Sequence, residues 1–226
     1  MTERENILGR IREALKTKVP RPGLPGEAQP SSLPPAAGAR RWLPAVGSHF
    51  KDWVEMFSKN SAELQVNFQL LSSSDEMRQA LLHLRDAEGW KRLASHSGML
   101  PDAICPVLGL MMLHTDRPYE VHDLAGCDVG ISECDALVAQ TGTVVLSSRR
   151  AGGRALSILP PHHVVLARRD QLVPNLPEAF ELLKTEYGND YPSMISFITG
   201  PSRSGDLGHG LAPAGHGPKK LTVLCV

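Results

Sequence analysis

The 226-residue sequence has no apolar run approaching the roughly 18 to 20 residues that a membrane-spanning helix requires. It also lacks any excess of charge, since 24 lysines and arginines balance 24 aspartates and glutamates. A chain without a basic field has no electrostatic means of gathering nucleic acid or anionic lipid, so neither is expected as a partner. Its amino terminus, MTERENILGRIREALKTK, is charged throughout and has none of the apolar h-region of a secretory signal. A cytoplasmic location is expected.

Cysteine is scarce and scattered. Cys105, Cys127, Cys134 and Cys225 form no C-x-x-C pair, and no spacing lets one loop present two thiolates to a metal. No zinc or iron–sulfur site is expected in this chain, and the four read as small buried hydrophobes of a reducing compartment. Histidine is more plentiful but no better grouped. His162 and His163 are neighbours, which on a strand point to opposite faces, while His209 and His216 lie in irregular chain. No metal site is expected at any of them.

What is present is enough apolar residue, 42%, to bury a core. The first piece, residues 1–18, reads as a short amphipathic helix: Thr2 and Glu5 have capping-box spacing, and Ile7, Leu8, Ile11 and Leu15 share a face. Residues 19–47 contain seven prolines and four glycines and read as an extended linker. Residues 48–226 form the compact body. Phe50, Trp53, Val54 and Phe57 make a helical stripe, QVNFQLL alternates as a strand, and Ser73 with Glu76 caps a helix over EMRQALLHLRDA. Then come a strand near WKRLAS, an irregular proline-containing segment through 112, a strand ending in CDVGIS, a short helix over ECDALVAQ and a strand TVVLSS. HHVVLAR, the helix LPEAFELLKTEY, the strand MISFIT and the final strand LTVLCV complete the order. Strands that are apolar at consecutive positions and alternate with helices predict a mainly parallel sheet covered on both faces, a three-layer α/β/α sandwich.

Ligands of such sheets bind outside the carboxyl ends of the strands, and three segments are expected there: GISECDALVAQTGTVVLSS, SSRRAGGRALSILPPHH and residues 198–218. The last, ITGPSRSGDLGHGLAPAGHGP, holds six glycines and three prolines, far more backbone freedom than a turn needs. Ser202 and Ser204 can bind an anion or cap a helix, and Arg203 supplies the fork that matches phosphate or carboxylate. Asp206 is placed to orient Arg203 or to form an ordinary local salt pair with it. His216 either titrates near neutrality beside a substrate or fixes the glycine-rich backbone. Thr141, Gly142 and Thr143 are expected as the opposite wall of an anion site, or else as a helix stop with Gly142 left-handed. Glu133 and Asp135 either cap the helix that follows or, in the case of Glu133, act as a base or nucleophile.

TGTVVLSS followed by LSILPPHHVVLARRDQLV, ITGPSRSGD and AGHGPKKLTVLCV resembles, in order and spacing, the lactate-utilization protein C family (LutC/YkgG) over roughly residues 50–226. The resemblance implies a fold like that of the NagB/RpiA sugar-phosphate isomerases and CoA transferases, shared with the folate cyclo-ligases. It also implies a place in a three-protein bacterial system that oxidises L-lactate to pyruvate, whose other two members carry iron–sulfur clusters. This chain is then the cluster-free subunit, binding an anionic ligand or scaffolding the assembly. The alternative is an independent isomerase, acyl-CoA transferase or cyclo-ligase using Glu133 and Arg203. One departure stands out: two positions beyond Asp206 the family usually has an acid, where this chain has Gly208.

Overall fold

The computed structural model describes residues 3–14, 16, 43–202 and 217–226. Two compact units divide the chain, Met1–Leu43 and Pro44–Val226. In the first, α1 spans Glu3–Ala14, with Ile7 and Leu8 exposed. Thr2 and Leu15 of its predicted cap and stripe, and most of the expected linker, lie outside the described residues.

The second unit is built on a six-stranded sheet. Its strands are β1 (Asn67–Leu70), β2 (Arg92–Ser95), β3 (Met111–His114), β4 (Val129–Glu133), β7 (His162–Ala167) and β10 (Lys220–Cys225). They lie in the order β1-β10-β7-β4-β2-β3, and every pairing is parallel. Burial on both faces explains the continuous apolar runs. Val164 and Leu166 of β7 pack against α3 (Ser74–Glu88) and α4 (Met99–Ile104), while Val165 and Ala167 face α2 (Phe50–Glu63) and a second sheet. The Ser73 hydroxyl accepts from Glu76 N–H at 3.2 Å, so the predicted cap starts α3, and Gly89 in the left-handed region ends it.

The second sheet, of four strands, has the order β8-β5-β6-β9: β5 (Ala136–Val138), β6 (Thr143–Ser147), β8 (Leu172–Val173) and β9 (Ile195–Ile198). Leu137, Val144 and Leu146 face the main sheet; Ala136, Val138 and Val145 face α6 (Leu176–Tyr187). Two expectations are corrected here. ECDALVAQ is not a helix: its apolar stretch is too short for its period to decide, and antiparallel pairing of Ala136–Val138 with Val145–Thr143 settles it as a strand. The segment through 112 is not irregular either, since α4, a 3-10 turn at Cys105–Leu108 and β3 all form within it; α5 (Val121–Ala125) precedes β4.

The sheet's direction fixes its two edges. Glu133 is the last residue of β4, and His96 and Thr115 directly follow the carboxyl ends of β2 and β3. Lys220 pairs with His162 at the opposite, amino edge, so the described flank of the glycine-rich stretch, residues 217–219, lies there and not at the expected carboxyl edge.

Candidate functional site

At the carboxyl edge, three polar side chains are pulled inside: Glu133 is 7% exposed, His96 3% and Asp135 2%. The Glu133 Oε1 accepts from the Leu100 N–H at 2.8 Å, in the first turn of α4, and so supplies that turn with an acceptor from across the edge. The His96 Nε2 accepts from the Glu133 N–H at 3.2 Å; its proton is therefore on Nδ1, which donates to the Ser97 carbonyl at 2.9 Å. Both ring nitrogens are engaged by backbone. Gly98 and Gly152 permit this closeness. A Cβ on Gly98 would stand 3.0 Å from the Glu133 Oε2, and one on Gly152, at φ 66°, would be 2.7 Å from the His96 Cβ and 2.6 Å from the Thr115 hydroxyl.

Asp135 anchors a second group one strand further on. Its Oδ1 accepts from the Tyr187 hydroxyl and from the Ser147 hydroxyl at 3.1 Å, with the Arg150 Nε at 3.8 Å; its Oδ2 is buried with no hydrogen-bond partner among the described residues. Burial raises the Asp135 carboxyl above its ordinary range, against the Tyr187 and Ser147 hydrogen bonds that favour the carboxylate. Burial likewise pushes the Tyr187 phenol up to about 12, so Tyr187 is a hydrogen-bond donor at neutral pH.

On the other side of the molecule, the turn between β5 and β6 carries Thr141 and Gly142, and Thr143 opens β6. Gly142 sits at φ 64° as a hairpin glycine, not as a helix stop, and a Cβ there would be 2.9 Å from the Asn60 Cβ. The Thr143 hydroxyl lies 2.7 Å from that of Thr141 and 2.8 Å from that of Thr199. The chain then passes Gly200, packed on Leu64, to Ser202, whose N–H donates to the Pro218 carbonyl at 2.9 Å. Ser202, Gly200, Gly217, Ser157, Ser196 and Phe197 are among the residues bordering a cleft of about 280 Å³.

Of the expected site residues, the structure gathers Thr141, Gly142 and Thr143 around Thr199 and Gly200, close in the chain to Ser202, and places Glu133 apart from them at the opposite edge. Arg203, Asp206 and His216, with Ser204 and Gly208, lie outside the described residues. The described wall sits at the carboxyl end of α2, whose partial negative charge does not itself attract an anion. His96, Ser147 and Tyr187 were not expected. His96 had a signal, because it directly follows the predicted strand WKRLAS; Tyr187, far along a helix, had none.

Residues 115–226, which include Glu133, Thr141–Thr143 and Ser202, match the LUD domain family. The chain is 36% identical over 115 residues to a lactate utilization protein C of Halalkalibacterium halodurans, half of each chain being covered. It is 39% identical over 101 residues to that of Geobacillus kaustophilus and 35% over 101 to that of Bacillus subtilis, covering 44% of this chain and 42% of each relative. The matched stretches thus span about half the length of these relatives or less. A solved structure of a DUF162 family protein from Deinococcus radiodurans superposes with a TM-score of 0.64 at 22% identity, over 80% of this chain and 99% of that one, and shares the fold. Residues 115–226 thus carry the match to the LUD domain family, and over that stretch the chain is similar to proteins named lactate utilization protein C.

Proposed function

We propose that this chain serves lactate utilization as a subunit without a redox cluster of its own, binding a small anion or bridging the partners that carry the clusters. The observation that carries the reading is the likeness of its carboxyl half to proteins named for lactate utilization. Turning L-lactate into pyruvate releases two electrons and two protons, and a chain without a redox group must pass the electrons to partners. The cysteines support that part: all four are buried and unpaired, and burial pushes Cys105 and Cys225 up to about 11 and Cys134 well above its ordinary value. Buried cysteines of this kind pack as small hydrophobes. Glu133 supports the subunit reading over the independent enzyme, because one of its oxygens is committed to the first turn of α4 and its histidine neighbour is committed to backbone.

A strain lacking this chain is expected to fail on L-lactate as sole carbon source and to grow normally on pyruvate. The intact chain should restore growth and should co-purify with iron–sulfur proteins, while holding no iron when purified alone. Undiminished growth of the deletion strain on L-lactate, or stoichiometric iron in the isolated chain, overturns the reading.

A further inference from the structure

A second cleft, of about 300 Å³, opens at the amino edge of the main sheet, where α2 passes into β1, α3 ends and β10 begins. That volume is at the small end of ligand sites, which run from roughly 300 to 1,000 Å³. Leu84 and Leu221 give it apolar wall, and buried His162, whose Nε2 lies 2.9 Å from the Thr222 hydroxyl, borders it with Thr222. The remaining polar groups, Gln65, Asn67, Lys219 and Lys220, are exposed. Both oxygens of Glu88 hold the Lys220 ammonium, at 2.6 and 2.8 Å, which fixes its position; Lys219 has no ion pair among the described residues. Two ammonium groups and one carboxylate leave the cleft with one positive charge in excess.

Gln65 adds an independent observation. It is the single non-glycine residue among those described at positive φ, 61°, just past the C-cap Leu64 of α2. Glycine takes that position without steric penalty, and any side chain there is strained. A strained residue that borders a cleft invites the question of what its side chain does. Gln65 borders the cleft together with Asn67, which opens β1, the strand paired with β10 where Lys220 lies.

We infer that this cleft binds a small carboxylate, with the carboxylate at Lys219 and Lys220 and the ligand's hydroxyl or carbonyl oxygen at the Gln65 and Asn67 amides. The choice of ligand rests on the lactate-utilization reading; the cleft itself does not.

The test is calorimetric titration of the full chain with L-lactate, pyruvate and inorganic phosphate. Saturable binding of L-lactate or pyruvate is expected, weakened about tenfold by Lys219→Ala. Gln65→Gly is expected to weaken it about threefold while raising the melting temperature, because the strain is relieved as the amide is lost. A folded Lys219→Ala that binds unchanged, a Gln65→Gly that binds unchanged, or saturable binding of phosphate alone overturns the inference. Growth separates the two proposals: if the chain is required for growth on L-lactate but carboxylates do not bind, the cleft falls and the reading stands. Binding at the cleft beside a deletion strain that grows normally on L-lactate has the reverse meaning.

Discussion

At the carboxyl edge of the main sheet His96, Glu133 and Asp135 are buried, whereas at the amino edge Gln65, Asn67, Lys219 and Lys220 stand in solvent around an open cleft. The carboxyl edge closes because Gly98 and Gly152 let two chain segments approach within contact of His96 and Glu133, and nearly every polar group so enclosed finds a fixed partner. Enclosure demands this, since a buried polar atom without a hydrogen bond costs about 1 to 3 kcal/mol. At the amino edge water satisfies the same kinds of group, and they stay available to a ligand. In this molecule, then, His96 and Glu133 at the carboxyl edge are tied into packing and backbone hydrogen bonds, whereas the amino edge leaves its polar groups exposed.

Breaking the closed edge should have the largest effect. Gly152→Ala places a methyl 2.6 to 2.9 Å from the Thr115 hydroxyl and the His96 ring, on a backbone at φ 66° that disfavours it. A loss of about 3 kcal/mol, combining overpacking and backbone strain, is expected by urea denaturation. A loss under 1 kcal/mol would mean that the 147–154 segment moves freely on the edge, and the contrast between the edges would weaken.

Acid sharpens the comparison from within. Burial lowers His162 to about 4 and His163 to about 3, so both rings are neutral in the folded protein at pH 6 and both gain protons on unfolding. Their folded-state values lie below the ordinary one of about 6.5, so this stability is present above pH 6.5 and is lost as pH falls from there toward 3. Between pH 6.5 and 5.5 the two should cost about 2 kcal/mol together. Asp135 acts oppositely: with its carboxyl raised, its contribution is fully present below its ordinary range and is lost as pH rises through the raised value. An unfolding free energy that is flat from pH 6.5 to 5.5 would show that the histidines take protons without unfolding.

The smallest effect belongs to the open side. Gly200, at φ 90°, would bring a Cβ no nearer than 3.4 Å to Leu64, so Gly200→Ala meets backbone strain but no clash. About 1 kcal/mol of stability should go, less than for Gly152. If Gly200→Ala is the more damaging of the two, the amino edge is the tightly packed one.

Helices with an explicit start were legible. Ser73 and Glu76 announce α3, and the Phe50, Trp53, Val54 and Phe57 stripe announces α2, because caps and stripes are local. Strands buried on both faces, β7 and β10, were legible from their apolar runs. Ala136–Val138 was not, since three apolar residues fit either period and only β6 and β8 alongside decide. Within the candidate site, the left-handed Gly142 was legible, but as a helix stop where the structure has a hairpin, and the tie of Thr143 to Thr199 is a contact across 56 residues.

The sequence alone determined the element types wherever a cap, a stripe or a long apolar run spoke for itself, and the order of motifs that marks the family. Only the tertiary structure decided which edge the glycine-rich stretch joins. The expectation treated the strand before that stretch as part of the parallel sheet, which would release the chain at the carboxyl edge. Instead β9 pairs antiparallel to β6 in the second sheet, and the stretch leads into β10, inserted between β1 and β7 with Lys220 beside His162. Strand membership depends on pairing between residues far apart in sequence, and no pattern within the stretch carries that information.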